Sequence, residues 1–158
     1  MTQEEKKLLL IDLCGRQPYR PIIHVEDYTD DGKLLDMYDW NLLEVVYFQD
    51  KLKLSIEPNW DNYRTVKLGY GNYIIKPYLR PMSSMTEEEQ NECMNLIDII
   101  SSPSSESDKI TKIIDCLDEN IQLMDWLNSH HFDYRGLIEK GLALEAPKDM
   151  YNTKKLNN

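Results

Sequence analysis

Between residues 75 and 86 the hydrophobic pattern of this chain changes period, and that change limits its possible folds more than any other feature. Residues 22–75 carry short runs rich in β-branched and aromatic side chains, with apolar and polar residues alternating at Leu52, Leu54 and Ile56. From Thr86 onward apolar residues recur every third or fourth position. The first pattern belongs to half-buried strands and the second to amphipathic helices. The sequence therefore predicts an α+β fold: an N-terminal helix, a small curved antiparallel sheet or barrel, and a C-terminal helical segment.

Local signals place the elements. Thr2 and Glu5 form a capping box, Leu8–Cys14 supplies a helical stripe, and Gly15 stands where a helix takes its left-handed terminal residue. Pro18 and Pro21 then stop regular structure. Ile22–Glu26 and Lys33–Tyr38 flank a turn ending in Asp31-Gly32, a favoured hairpin dipeptide. Asn41–Phe48, the alternating run around Leu54, Thr65–Tyr70 and Asn72–Ile75 complete five or six short strands. Thr86 and Glu89 repeat the capping box and open a helix through Ile100. Residues 101–107 read as a polar linker, and residues 108–127 as a further helix. Asp133 is placed to cap a short helix, Tyr134–Lys140, ended by Gly141. These signals divide the chain into an N-terminal helix with a small β domain over 1–80, a helical segment over 81–150 packed on it or standing as a small module, and a frayed tail over 151–158.

With 158 residues, 41% of them hydrophobic, the chain suffices for one domain with an ordinary core. Its formal charge is −10, and residues 81–158 carry 15 acidic against 7 basic side chains. Such a balance repels phosphate backbones and anionic lipid, so the expected partner is a protein with a basic surface, not nucleic acid or a membrane. Cys14, Cys93 and Cys116 are odd in number and match no zinc spacing, so they read as reduced, packed thiols of a reducing cytoplasm. Leu8–Leu13 before Cys14 fails as a lipoprotein leader, because Asp12 interrupts it and Glu4 and Glu5 precede it.

Four constellations merit a chemical reading. His130, His131 and Asp133 supply two imidazoles and a carboxylate, enough for a metal site or an acid–base pair if the chain turns there. In the structural alternative the histidines end a helix and Asp133 caps the next. Asp27, Thr29, Asp31 and Gly32 match the start of a calcium loop, but Leu35 and Tyr38 occupy its ninth and twelfth positions, and a hairpin is the better reading. Eight of the ten tyrosines lie between Tyr19 and Tyr78, with Trp40 and Trp60 among them, as sheet residues or as an aromatic docking surface. On the 108–127 helix, Asp115, Asp118, Glu119 and Asp125 share one side, either as a solvated face or as a dock for a basic partner. No cofactor motif and no nucleophile motif stands in the chain.

Two stretches carry a resemblance. They are Lys76-Pro77-Tyr78-Leu79-Arg80-Pro81-Met82-Ser83-Ser84-Met85-Thr86-Glu87-Glu88-Glu89 and His130-His131-Phe132-Asp133-Tyr134-Arg135-Gly136-Leu137-Ile138-Glu139-Lys140-Gly141-Leu142-Ala143-Leu144-Glu145-Ala146-Pro147. With the first helix, they resemble short hypothetical proteins of Bacteroides-type gut bacteria and their phages or prophages. The resemblance implies a setting, a mobile-element accessory protein inside a bacterial cell, and transfers no catalytic residue. The expectation is thus a non-catalytic protein that binds a host protein, with inhibition of a host-defence factor as one role. The alternative is a small hydrolase or metal-dependent enzyme using His130, His131 and Asp133, and it requires those side chains to converge in a pocket.

Overall fold

The N-terminal capping box forms as the sequence predicts. In the computed structural model, the Thr2 backbone N–H donates to Glu5 Oε2 at 2.6 Å, and the Glu5 N–H donates to Thr2 Oγ1 at 3.2 Å. The structure describes residues 1–48, 51–59, 62–68, 72–101 and 120–151. Helix α1 (Gln3–Arg16) does not end at Gly15 but passes through it into a 3-10 turn, Gln17–Tyr19, and Arg20 takes the left-handed conformation instead, at φ 49°. Gly15 serves close approach: a Cβ there would stand 3.3 Å from Nδ2 of Asn128.

Strands β1 (Ile22–Tyr28), β2 (Leu34–Phe48), β3 (Lys51–Asn59) and β4 (Asn62–Leu68) form an antiparallel meander, and β5 (Asn72–Leu79) returns to pair with β1. The sheet order is β4-β3-β2-β1-β5-β6, where β6 (Leu144–Glu145) adds a short parallel edge. In place of the two strands expected over 33–48 there is one strand of 15 residues. It is continuous because its first half pairs with β1 and its second with β3, each partner taking up where the other stops.

Chain reach dictates that the sheet curls. In a flat sheet β4 and β5 would lie four strand spacings apart, about 19 Å. Leu68 and Asn72 are only four Cα steps apart, at most about 14 Å, and β4 and β5 are in contact. No ladder joins these two strands among the described residues, so the sheet is curved but not closed into a barrel.

The curl wraps α1. Leu9 and Leu13 meet Ile23, Val25, Leu42, Leu54, Ile56 and Ile75 from four strands, with Tyr38, Trp40 and Tyr73 at the margin. The neighbouring side of α1 faces the C-terminal segment, where Leu8 joins Leu79, Leu137, Ile138, Leu142 and Ala143. Burial on two sides explains how α1 holds Asp12 and Arg16 fully out of water. Arg16 donates through Nε and Nη2 to the two Asp12 oxygens at 2.7 and 3.0 Å, and through Nη2 to the Phe132 carbonyl at 2.7 Å.

Helix α2 (Glu87–Ser101) opens on the expected Thr86–Glu89 capping box. Residues 102–119, which include Cys116 and most of the helix expected over 108–127, lie outside the described residues. A helix over described residues 120–129, α3, follows and ends at Ser129. The short helix expected over Tyr134–Lys140 is reduced to a single turn, because Gly136 sits at φ +66° and interrupts helical geometry; Gly141, at φ +69°, ends that turn as predicted. Tyr151, expected to begin the frayed tail, is tied down: its hydroxyl accepts from the Ile22 N–H at 3.0 Å and donates to the Tyr78 carbonyl at 2.9 Å.

Replacing Arg16 with alanine leaves the Asp12 carboxylate buried beside only Arg135 Nε, at 3.5 Å. The expected loss is about 3–5 kcal/mol in denaturant unfolding. The paired replacement Asp12→Leu with Arg16→Met removes both charges and should regain most of it.

Candidate functional site

Helix α1 covers only the inner face of the sheet. On the outer face β1, β2 and β5 lie side by side, and antiparallel pairing puts opposed residues on one surface. The register sets two rows, Asp39–His24–Lys76 and Met37–Glu26–Ile74. His24 stands between carboxylates, with Nδ1 2.6 Å from Asp39 Oδ1 and Nε2 3.3 Å from Glu26 Oε1. Tyr28 donates its hydroxyl to Glu26 Oε2 at 2.5 Å, and Tyr78 donates to Asp39 Oδ2 at 3.4 Å. The Tyr28 hydrogen bond holds the Glu26 carboxyl below the usual range and pushes the Tyr28 hydroxyl up. Both nitrogens of His24 are engaged, so the ring presents none to a substrate proton and acts as a clamp between strands.

Beside this polar ladder the alternation expected of a solvent-facing strand fails. Leu35 is 62% exposed, Met37 57%, Ile74 41% and Leu34 38%. The cause is partly a bulge: Asp27 pairs with Asp36 but Tyr28 with Leu34, so Leu35 is an extra residue in the strand. Next to it is an open pocket of about 350 Å³ lined by Tyr28, Asp30, Gly32, Tyr73 and Ile74. The connection from β1 to β2 is a hairpin turn, as the sequence predicts, closed by Thr29 N–H to Lys33 carbonyl and by Gly32 at φ +82°.

His130, His131 and Asp133 do not converge. His131 takes the left-handed position after α3, at φ 58°, where its N–H donates to the Asn128 carbonyl and the Phe132 N–H reaches back to Leu127. That is the Schellman arrangement, with buried Phe132 and Leu127 as its apolar contact. The His131 ring stacks on Tyr151 at 3.8 Å, while the His130 ring stacks on Trp126 at 4.2 Å and its Nδ1 meets the Trp126 carbonyl. Asp133 is spent on backbone, accepting from the N–H groups of Leu137 and Ile138 at 2.8 and 2.9 Å. Among the described residues no group of three His, Cys, Asp or Glu side chains is placed to hold a metal ion.

Of the other expected binding residues, Asp125 lies exposed on α3 and raises the pKa of the Tyr19 hydroxyl, on which burial acts more strongly. Trp40 is half-buried against the core and 4.2 Å from the Tyr38 ring. Asp115, Asp118, Glu119 and Trp60 lie outside the described residues. Cys14, expected to pack, is exposed, and Cys93 is buried. The outer-face cluster escaped the sequence reading because Asp39 and Lys76 meet His24 only through strand register. The spacing of His24, Glu26 and Tyr28 was a usable signal, since alternate strand residues share a face. No helix among the described residues is long and apolar enough to cross a membrane. Neither the known protein families, nor the curated proteins, nor the solved structures include a match to this chain.

Burial, followed by the nearby Arg16 charge, lowers the His131 pKa from 6.5 to about 3. The unfolded chain therefore binds a proton on this histidine below pH 6.5 and the folded chain does not. Stability is full above that pH and falls as pH drops toward 3. Between pH 6.5 and 5, above the carboxylate range, denaturant titrations should show a loss approaching ~1.4 kcal/mol per pH unit. His131→Asn, which keeps left-handed tolerance, should flatten the slope.

Proposed function

We propose that this protein is a non-catalytic accessory protein that works by binding another protein, and that the outer face of β1, β2 and β5 is its docking surface. One observation carries the reading: Leu34, Met37 and Ile74, which the register puts on the outer face, and Leu35 at the bulge are all large apolar side chains left exposed. No described element covers them. A surface that gathers large apolar side chains among polar ones is the usual mark of a protein contact.

Charge selects the class of partner. Glu26 and Asp39 on this face, with Asp30 and Asp31 in the adjoining turn, carry negative charge against Lys33 and Lys76, and the whole chain carries −10. A basic protein surface complements this face and would be steered toward it. The resemblance to phage and prophage proteins supplies the setting, the interior of a bacterial cell, where blocking a host-defence factor is one role for such a binder. The enzyme alternative finds no favouring geometry, since His130, His131 and Asp133 are each committed to helix termination or stacking.

The test compares the protein with a Leu35→Asp/Met37→Asp variant as bait in lysate of a Bacteroides-type bacterium. Both changes fall on exposed residues and should leave the melting temperature nearly unchanged. The expected result is a protein of basic surface retained by the original chain and lost from the variant. Its retention should also weaken as salt rises from about 0.05 to about 0.5 M. Equal retention by both baits at every salt concentration would overturn the proposal.

A further inference from the structure

The apolar strip says where a partner lies, and the pocket beside it says what that partner inserts. The pocket is lined by Tyr28, Asp30, Gly32, Ile74 and Tyr73, the last of which also packs against the inner core. Nothing stands within 4 Å of where a Cβ on Gly32 would be, so this wall is open to an incoming group. A volume of about 350 Å³ is near the lower end for small-molecule sites and suits one long side chain better than a cofactor.

We propose that the pocket between Tyr28, Asp30, Gly32, Tyr73 and Ile74 receives an arginine side chain of the partner, with its guanidinium against a tyrosine ring and paired to the Asp30 carboxylate. This deepens the docking reading above and rests on it. Three features select the ligand. The Asp30 carboxylate is held by no other group among the described residues, so it keeps its acceptor capacity for an incoming donor. The Tyr28 hydroxyl is already given to Glu26, which fixes the ring and leaves its face as the available surface. Glu26 and Asp31 add negative charge close by, exceeding what Lys33 and Lys76 offset. A planar guanidinium can stack on an aromatic face and present a fork to a carboxylate at once, whereas a lysine ammonium is a point charge that meets only one of these demands. An anionic group is repelled.

The experiment uses the full chain, isotopically labelled, and follows backbone amide signals during titration with a capped synthetic pentapeptide carrying a central arginine between valines and threonines. A second peptide replaces arginine with citrulline, which keeps the shape and removes the charge. The arginine peptide should shift the amides of Tyr28, Gly32, Tyr73 and Ile74, and the citrulline peptide should bind at least about tenfold more weakly. Asp30→Asn should weaken the arginine peptide by a similar factor without changing the melting temperature. Shifts centred elsewhere, or equal binding of the two peptides, overturn the proposal. The two readings fail separately. If Leu35→Asp/Met37→Asp abolishes partner capture while Asp30→Asn leaves it intact, the docking face stands and the arginine pocket falls. If neither variant alters capture, both fall.

Discussion

The interaction on which the rest of this structure depends is the buried guanidinium of Arg16. Its side chain is fully out of water, and so is that of its partner Asp12 one helical turn earlier. A bare charge there would cost several kcal/mol, so the surroundings must supply both hydrogen bonds and an opposite charge. Asp12 meets it twice from within α1, and the carbonyl of Phe132 meets it from 116 residues away. The Tyr134 ring lies under the guanidinium at 5.2 Å. The consequence is a single geometry: α1 can bury its polar side only if the segment after α3 arrives with the Phe132 carbonyl in place.

The same segment is fixed again from the sheet. Arg80, just past β5, exchanges backbone hydrogen bonds with His131 and Asp133, and its guanidinium lies 4.2 Å over the Phe132 ring. It then forks onto Glu89 at 2.7 and 2.8 Å, which holds that carboxyl down to about 2 and links α2 to the same point. Phe132 is therefore gripped by one arginine at its carbonyl and another at its ring. The two histidines before it are consumed in making the turn that delivers it. This is why a cluster that looks catalytic in one dimension becomes a helix terminus in three.

How far the sequence could be read follows from the range of each interaction. Both capping boxes and the Asp31-Gly32 hairpin involve residues within a few positions of each other, and each forms as expected. The one-turn fate of Tyr134–Lys140 was hidden because Gly136 is harmless to a pattern count and decisive only through its positive φ. Gly15 misled for the converse reason: it looks like a helix terminus, yet it is small so that Asn128 can approach. The Asp39–His24–Glu26 ladder was out of reach because strand register, not spacing, joins its members. A one-residue slip would turn His24 to the inner face and dismantle it.

That register also explains why the proposed docking face lies where it does. The sheet curled around α1 buries its inner surface, the described C-terminal segment packs against the neighbouring side of α1, and among the described residues no element covers the outer face. Polar alternation would keep such a surface inert, and over His24, Glu26 and Asp39 it does. The bulge at Leu35 breaks the alternation at the hairpin end, where Leu34 and Leu35 are exposed beside Met37, with Ile74 across β1 from them. Among the described residues nothing packs on these side chains to draw stability from them, and a bulge bends the strand it interrupts. A hairpin built only for folding would place polar residues at these four positions, as β1 does at Glu26. Nothing in the described fold calls for this apolar strip, and a partner surface there is what the proposed docking would supply.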